Sequence, residues 1–98
     1  MNDELRALVA ELESTTSQAI ALANTLTQNG ELADDHQPVV ERLAYAATET
    51  RAAVAMMAAA TQATTLAPAA AIAIAELAQR AMAKLDSIAL ELGRPDGF

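Results

Sequence analysis

The chain has 98 residues, one histidine, no cysteine and a net charge of −7. The length predicts a single domain, residues 1–98, and the lack of cysteine excludes a disulfide framework and a thiolate metal site. Hydrophobic residues make up 53% of the chain, but 26 residues are alanine, so we expect stability to depend on close packing or on a partner. The acidic surplus argues against direct binding of nucleic acid, which requires clustered Lys and Arg.

The first predicted helix spans about residues 3–28. Asp3 and Glu4 favour its amino end through the helix dipole, and Asn29 and Gly30 can adopt the left-handed conformation that follows a helix. Four hydroxyl residues, 14–17, compete for backbone hydrogen bonds and favour a bend or a break. Apolar residues at three- and four-residue spacing form one stripe: Leu5, Leu8, Val9, Leu12, Ala19, Ile20, Leu22, Ala23 and Leu26.

The second predicted helix spans about residues 38–64. An acidic connection, residues 29–37, precedes it, with Asp34 or Asp35 as the N-cap. Pro38 suits the first turn, where its missing N–H has no partner to lose. The predicted stripe is Val40, Leu43, Ala47, Thr50, Val54, Met57 and Thr61, with Val39, Ala46, Ala53 and Ala60 alongside.

An uncharged run of 24 residues, 52–75, contains 13 alanines. Its length suits a membrane span, but Pro68 and several polar residues interrupt it, and alanine adds little insertion energy. Pro68 lacks a donor and disfavours a helical Ala67, while Thr64 and Thr65 lie where an N-cap is wanted. We therefore predict two helices joined by a turn, and no membrane contact.

The third helix is predicted over residues 68–92. Gly93 and Pro95 act as stop signals, and a flexible tail, residues 93–98, follows. The inward stripe is Ile74, Ala78, Ala81, Leu85, Ile88 and Leu92.

Three helices of similar length with short connections predict an all-α, up-down-up bundle of antiparallel long helices. Small residues let the helix axes approach closely. Ile72 and Met82 lie off the main stripe of the third helix, and we predict that this second apolar face binds a partner or a second copy, so that homodimerisation completes the bundle. Met56 and Met57 point about 100° apart, so at least one should face a third helix or an interface.

Acidic residues dominate the first half, where nine acids in residues 1–49 face two bases. Such a surface fits a basic protein partner, and we assign Glu11, Glu13, Asp34 and Asp35 to it. His36 lies beside this acidic connection, which lacks the ligand order of a calcium loop. The sequence also lacks a phosphate loop and a nucleophile with a nearby base, so we expect no metal, no cofactor and no enzymatic activity.

Tyr45 and Glu49, with three residues between them, resemble the Tyr-x-x-x-Asp/Glu export signal of the small alanine-rich helical hairpins handled by type VII secretion. The resemblance implies a secreted helical partner protein. In that family the signal follows the hairpin near the C-terminal end, with a Trp-x-Gly or Pro-Glu hallmark. Here Tyr45 lies mid-chain and the sequence has no Trp.

The sequence thus predicts a small acidic protein–protein interaction module, homo-oligomeric, that serves as an adaptor, regulator or inhibitor. One alternative is an inhibitor that mimics nucleic acid and binds a basic protein, as in some phages and plasmids, and another is the type VII-like secreted protein. Because the chain opens with Asp3 and Glu4, where a secretory signal needs positive charge, we expect a cytoplasmic location.

Overall fold

The computed structural model describes residues 3–98, so that Met1 and Asn2 lie outside the described part. That part is helical and contains no strand, which confirms the predicted all-α class. The three long helices are α1 (Asp3–Leu26), α2 (Gln37–Gln62) and α3 (Ala67–Ile88), and two short 3-10 helices, Ala33–His36 and Thr64–Leu66, lie in the connections.

Polar contacts between α2 and α3 show that these helices run antiparallel. Arg42 Nη1 donates a hydrogen bond of 3.0 Å to Ser87 Oγ, and Lys84 Nζ pairs with Glu49 Oε1 at 2.5 Å. A later residue of α2 thus meets an earlier residue of α3. These two helices also share the most extensive interface, and α1 packs against both of them.

The larger hydrophobic core fills the part of the bundle formed by residues 12–50 and 76–98, which we call the base. Leu12 and Leu85 are fully buried in it. Phe98 packs against this core, and the flexibility predicted for residues 93–98 stays a prediction. The buried members are Leu12, Ala19, Ala23, Val39, Leu43, Ala46, Ala78, Ala81, Leu85, Ile88 and Leu92.

The second core is small and lies towards the other end, where α1 begins and the α2–α3 hairpin turns. We call residues 52–75 the tip. The buried members of this second core are Val9 of α1 and Ala53 and Ile74 of the tip. Two of the three are small or medium in size, so this end is held by much less buried apolar surface than the base.

The hydroxyl residues 14–17 do not interrupt α1, so the predicted break is wrong, whereas the bend stays a prediction. Thr16 Oγ1 donates to the Leu12 carbonyl at 2.7 Å, Thr50 Oγ1 donates to the Ala46 carbonyl at 2.8 Å, and the two hydroxyl oxygens lie 3.0 Å apart. Back-bonding to the preceding turn and pairing across the helices satisfy these groups without breaking the helix. The two hydroxyl groups have one proton each but take part in three oxygen–oxygen contacts. At any time, therefore, one of the three contacts is not a hydrogen bond.

Residues in the left-handed conformation follow α1, as predicted, but there are three of them instead of the two expected. Asn29 and Gly30 have φ of 60° and 97°, and Gln28 joins them with φ of 52°. Thr27 stabilises this turn, since its hydroxyl donates to the Ala23 carbonyl at 2.8 Å and accepts from the Gly30 N–H at 3.2 Å.

Neither Asp34 nor Asp35 caps α2, so that prediction is wrong. Both lie inside the 3-10 helix Ala33–His36, where their charges favour its own amino end. His36 occupies the N-cap position of α2 without a side-chain cap hydrogen bond.

The predicted cap of the third helix is also wrong. Thr64 and Thr65 form a 3-10 turn, and Leu66 precedes α3 without a side-chain cap hydrogen bond. Pro68 lies in the first turn of α3, as expected, and removes one donor that a cap would satisfy. Ala67 nevertheless keeps helical angles, φ −56° and ψ −43°, so the chain passes from turn to helix without an extended residue.

The segment Thr64–Ile88 is long and apolar enough to cross a bilayer by length and composition, with a window of mean hydropathy 1.2. Only 17% of that window is buried within the protein. Alanine supplies much of this hydropathy, and the large aliphatic residues of α3 that are buried, such as Ile74 and Leu85, face the other helices.

Candidate protein-binding surface

An uncharged groove lies between the end of α2 and the start of α3. Its volume is about 280 Å³, and five of its seven lining residues are alanine. Alanine side chains let the two helices approach closely and leave a shallow floor between larger side chains on the walls. The lining residues are Met56, Ala59, Ala60, Leu66, Ala69, Ala70 and Ala73.

The larger side chains of this groove are exposed. Met56 of α2 is 39% exposed and Leu66, in the turn before α3, is 52% exposed, whereas Ala60 between the helices is 4% exposed. Leu66 is already about half covered, so burying the rest on contact would be favourable by about 1 kcal/mol. Most of the exposed hydrophobic surface of the groove therefore belongs to the larger side chains on its walls.

The groove lies on the side of the hairpin that α1 does not cover, since every lining residue belongs to α2, α3 or the turn between them. The clefts on the other side include α1 residues. Glu13 and Ile20 of α1 line a cleft with Arg51 of α2, and Leu5 of α1 lines another with Ala71 of α3. A fourth helix laid in the groove would thus occupy a position left vacant by the three-helix arrangement.

Arg80 lies at the base side of the groove, seven residues after Ala73, and two helical turns place the two residues on the same face of α3. It is exposed, and within residues 3–98 it makes no ion pair or hydrogen bond through its side chain. The neighbouring cations differ, because Arg42 binds Ser87 and Lys84 pairs with Glu49. Arg80 is thus exposed on this face of α3, with the exposed Glu76 one turn nearer the groove.

The methionine pair separates as the helix geometry requires. Met57 points inward, is partly buried and packs against the small core at the tip. Met56 points outward and lines the groove. Of the three methionines predicted to bind a partner, Met56, Met57 and Met82, the structure places only Met56 on this surface.

Ile72 and Met82 do not form the shared face predicted for them. Ile72 is 70% exposed on the outer side of α3, while Met82 is partly buried and packs against the larger core. Ten residues separate them, which amounts to about 80° around the helix and 15 Å along it. Leu66, in the turn, was not among the predicted partner-binding residues, although an uncharged run with a lone Leu in a threonine-flanked turn could have marked it.

The four predicted acidic residues are exposed but do not gather in one cluster. Glu11 and Glu13 are two residues apart on α1 and therefore point about 160° apart. Asp34 and Asp35 lie in the connection, about 20 Å along α1 from Glu13. Across residues 3–98, no group of three or more His, Cys, Asp or Glu side chains is placed to hold a metal ion.

Tyr45 and Glu49 lie one turn apart on α2 but in different surroundings. Tyr45 is 58% exposed, whereas the Glu49 side chain is 16% exposed and pairs with Lys84 across the helices. The second residue of the signal-like pair thus has a structural contact within the hairpin.

Comparison of the chain with protein families, with curated proteins and with solved structures gives no match.

Proposed function

We propose that this chain is a small, acidic, non-enzymatic helical protein of the cytoplasm that acts by binding other proteins, itself included, as an adaptor, regulator or inhibitor. The observation that carries the proposal is the uncharged groove of the hairpin tip, which α1 leaves uncovered. An exposed apolar groove in a chain of net charge −7 is a site where contact releases water from hydrophobic surface.

Exposure and charge divide the surface in a way that supports a contact role for the tip. Three of its large apolar side chains, Met56, Leu66 and Ile72, are between 39% and 70% exposed. The tip also lacks charged residues over its 24 positions. Protein interfaces are depleted of charge at their centre, and the tip shares this property.

Matched leucine substitutions test this proposal. Leu66 lines the groove at 52% exposure, and Leu90 is a 70% exposed leucine of the base. A tagged chain carrying Leu66→Glu should lose the proteins that the unsubstituted chain retains from a lysate of its native host, because a carboxylate placed in the groove must be desolvated on contact.

Leu90→Glu is the control, since it adds the same charge far from the groove, and it should retain those proteins. If the two variants retain the same proteins as the unsubstituted chain, the groove is not the contact surface. Circular dichroism should show equal helix content for all three chains.

The nucleic-acid mimic is a second proposal, supported by the exposure of Glu11, Glu13, Asp34 and Asp35. Replacing all four by lysine should abolish binding to a basic target, whereas the Leu66→Glu variant should keep that binding. Binding that survives the charge reversal would dispose of the mimic.

The type VII-like protein is a third proposal, which rests on the spacing of Tyr45 and Glu49. It predicts secretion that depends on both residues. Secretion by a chain with Tyr45→Ala and Glu49→Gln together would remove it.

A further inference from the structure

We infer that Asn29 is a site of spontaneous deamidation through attack by the backbone nitrogen of Gly30, and that the hydroxyl group of Thr27 holds this reaction back. The site lies in the turn that follows α1, so the inference depends on neither the groove nor a protein partner. The reacting groups are the side-chain amide of Asn29, the backbone N–H of Gly30 and water.

An asparagine followed by a glycine can react without an enzyme. The backbone nitrogen of the following residue closes a five-membered ring on the side-chain Cγ, and glycine hinders this closure least because it has no Cβ. Asn29 is followed by Gly30, whereas Asn24 is followed by the β-branched Thr25. A Cβ added to Gly30 would meet no other atom within 4 Å, so the surroundings of this residue are open.

The side-chain amide of Asn29 is accessible and unengaged. Both Asn29 and Gly30 are exposed. The backbone N–H of Asn29 donates to the Asn24 carbonyl at 2.8 Å, but within residues 3–98 its side-chain amide makes no hydrogen bond. The amide can therefore turn towards Gly30 without losing a contact.

The backbone of the turn favours local opening. Gln28 and Asn29 have φ of 52° and 60°, in the left-handed region that is costly for residues with a Cβ. Ring closure takes Asn29 out of this conformation, so the strain of the turn is released rather than increased. The ends of helices also open locally at a lower free energy than the core.

Thr27 opposes this opening. Its hydroxyl group accepts a hydrogen bond from the Gly30 N–H at 3.2 Å and donates one to the Ala23 carbonyl at 2.8 Å. Thr27 is only 4% exposed, so its hydroxyl group is held in place by the surrounding helix end. While the Gly30 N–H is bound to Thr27, its nitrogen is not free to lose the proton and attack. The reaction therefore proceeds from the fraction of molecules in which this bond is open.

The reaction balances with water as the only added reactant. Solvent base removes the Gly30 N–H proton, and the nitrogen forms a bond to Cγ of Asn29. The bond from Cγ to Nδ2 then breaks, and the nitrogen takes up a proton from water and leaves as ammonia. One water molecule opens the ring, either at the bond from Cγ to nitrogen, which gives aspartate, or at the backbone C–N bond, which gives isoaspartate.

Both products weaken the end of α1. The new carboxylate adds a negative charge at the carboxyl end of the helix, where the helix dipole disfavours it. Isoaspartate also lengthens the main chain and displaces the backbone hydrogen bonds of the turn, from Asn29 to Asn24 and from Leu32 to Thr27, both 2.8 Å. Deamidation thus loosens the joint between α1 and the connection that leads to α2.

Incubation of the folded chain at mildly alkaline pH, followed by peptide mass spectrometry, tests the site. Asn29 should be converted to both aspartate and isoaspartate, at a rate that rises with pH because the deprotonated nitrogen attacks. Asn24, an exposed residue near the end of α1, is the internal reference and should react much more slowly. A rate at Asn29 no higher than that at Asn24, or aspartate as the sole product, overturns the inference.

Substitution of Thr27 tests the role of its hydroxyl group. Thr27→Val frees the Gly30 N–H and should speed the conversion of Asn29 about fivefold, the factor that corresponds to a hydrogen bond of about 1 kcal/mol. The Ala23 carbonyl keeps the Thr27 backbone N–H as a donor at 2.9 Å, so the substitution leaves no buried acceptor unpaired. Thr27→Ser retains the hydroxyl group and should react at the rate of the unsubstituted chain.

Thr25→Val is the matched control. It removes a threonine hydroxyl group from the same helix end, but that group donates to the Ala21 carbonyl at 3.3 Å and does not contact Gly30. The conversion of Asn29 should therefore keep its original rate. Equal rates at Asn29 in Thr27→Val and Thr25→Val overturn the role of Thr27.

The rate at Asn24 shows whether Thr27→Val acts by unfolding the helix end. Unfolding would free both asparagines, so equal acceleration at Asn24 and Asn29 overturns the role of the hydroxyl group. Acceleration at Asn29 alone, absent from Thr27→Ser, supports that role. If circular dichroism shows that Thr27→Val does not fold, Thr27→Ala takes its place with the same expected result.

Discussion

The base and the tip of this bundle are built from the same small residues but differ in what fills the space between the helices. In the base, Leu12, Leu85 and Ile88 are at most 2% exposed and pack together with alanines of all three helices. In the tip, Ile74 is the only large aliphatic residue that is fully buried within residues 52–75. Alanine therefore serves two purposes: it allows close packing around large side chains in the base, and it leaves a shallow open surface in the tip.

Polar contacts follow the same division. Arg42 with Ser87, and Glu49 with Lys84, join α2 to α3 at the base. Within residues 52–75, all of them described, the side-chain hydrogen bond that is present runs from Thr61 to the Met57 carbonyl and stays inside α2. Side-chain contacts therefore fix the register of α2 against α3 in the base. Within residues 52–75, no side-chain hydrogen bond between helices would have to be displaced by a partner.

The largest expected difference between the two regions comes from identical truncations. Leu85→Ala removes a side chain that is 0% exposed and leaves a cavity, which should lower the free energy of unfolding by about 2–5 kcal/mol. Leu66→Ala removes a 52% exposed side chain and should change it by less than about 1 kcal/mol.

Urea unfolding followed by circular dichroism measures both. Equal losses for the two variants would mean that the tip contributes to the monomer core as much as the base does.

Replacing an alanine by leucine, the reverse of these truncations, should reveal the same contrast between the base and the tip. Ala46 is 0% exposed beside the threonine pair, so Ala46→Leu overpacks the interior and should lower the free energy of unfolding by about 1–3 kcal/mol. Ala59 lines the open groove, and Ala59→Leu should have an effect within about 0.5 kcal/mol. The same unfolding experiment applies, and a large loss for Ala59→Leu would contradict an open groove.

The predicted helices follow from residue spacing, although α3 ends at Ile88, four residues before the predicted end at Leu92. Its predicted inward residues are all buried, because large aliphatic residues such as Ile74, Leu85 and Ile88 mark one face without ambiguity. On α2 the centre of the buried face falls on Ala46 and Ala53 rather than on Ala47, which is only partly buried, and Thr61 is exposed. Alanines surround α2 on most sides, so hydrophobic spacing alone does not fix its orientation to better than about one residue.

The candidate surface was harder to predict, since it depends on which side of the hairpin α1 covers. Of the predicted partner-binding residues, Met56 lies on the groove. Met82 turned out to pack against the larger core. Leu66 was missed because its exposure arises from the 3-10 turn, where the cap expected from Thr64 and Thr65 does not form.

A smaller effect should come from the hydroxyl pair between α1 and α2. Thr16→Val or Thr50→Val alone keeps the shape of the side chain but leaves the other hydroxyl oxygen with one contact fewer in a buried site, at a cost of about 1 kcal/mol. The double substitution leaves no unpaired hydroxyl, so its loss should be smaller than the sum of the two single losses. A double-mutant cycle by urea unfolding measures this coupling, and strictly additive losses would show that the two hydroxyl groups do not interact.

The smallest expected effect is that of the ion pair between α2 and α3, and its two halves should differ. The Glu49 side chain is 16% exposed and that of Lys84 is 32% exposed. Lys84→Met leaves a largely covered carboxylate without its cation and should lower the free energy of unfolding by about 1 kcal/mol. Glu49→Gln leaves a more exposed ammonium group that water can solvate, so its loss should be smaller.

Urea unfolding at low and high salt separates the electrostatic part of this effect. Salt screens the pair, so the difference between the unsubstituted chain and Lys84→Met should shrink as ionic strength rises. The double variant, Glu49→Gln with Lys84→Met, should be more stable than Lys84→Met alone, because no unpaired carboxylate remains. If Glu49→Gln proves the more harmful single change, the carboxylate must have a role in holding α2 against α3 beyond its pairing with Lys84.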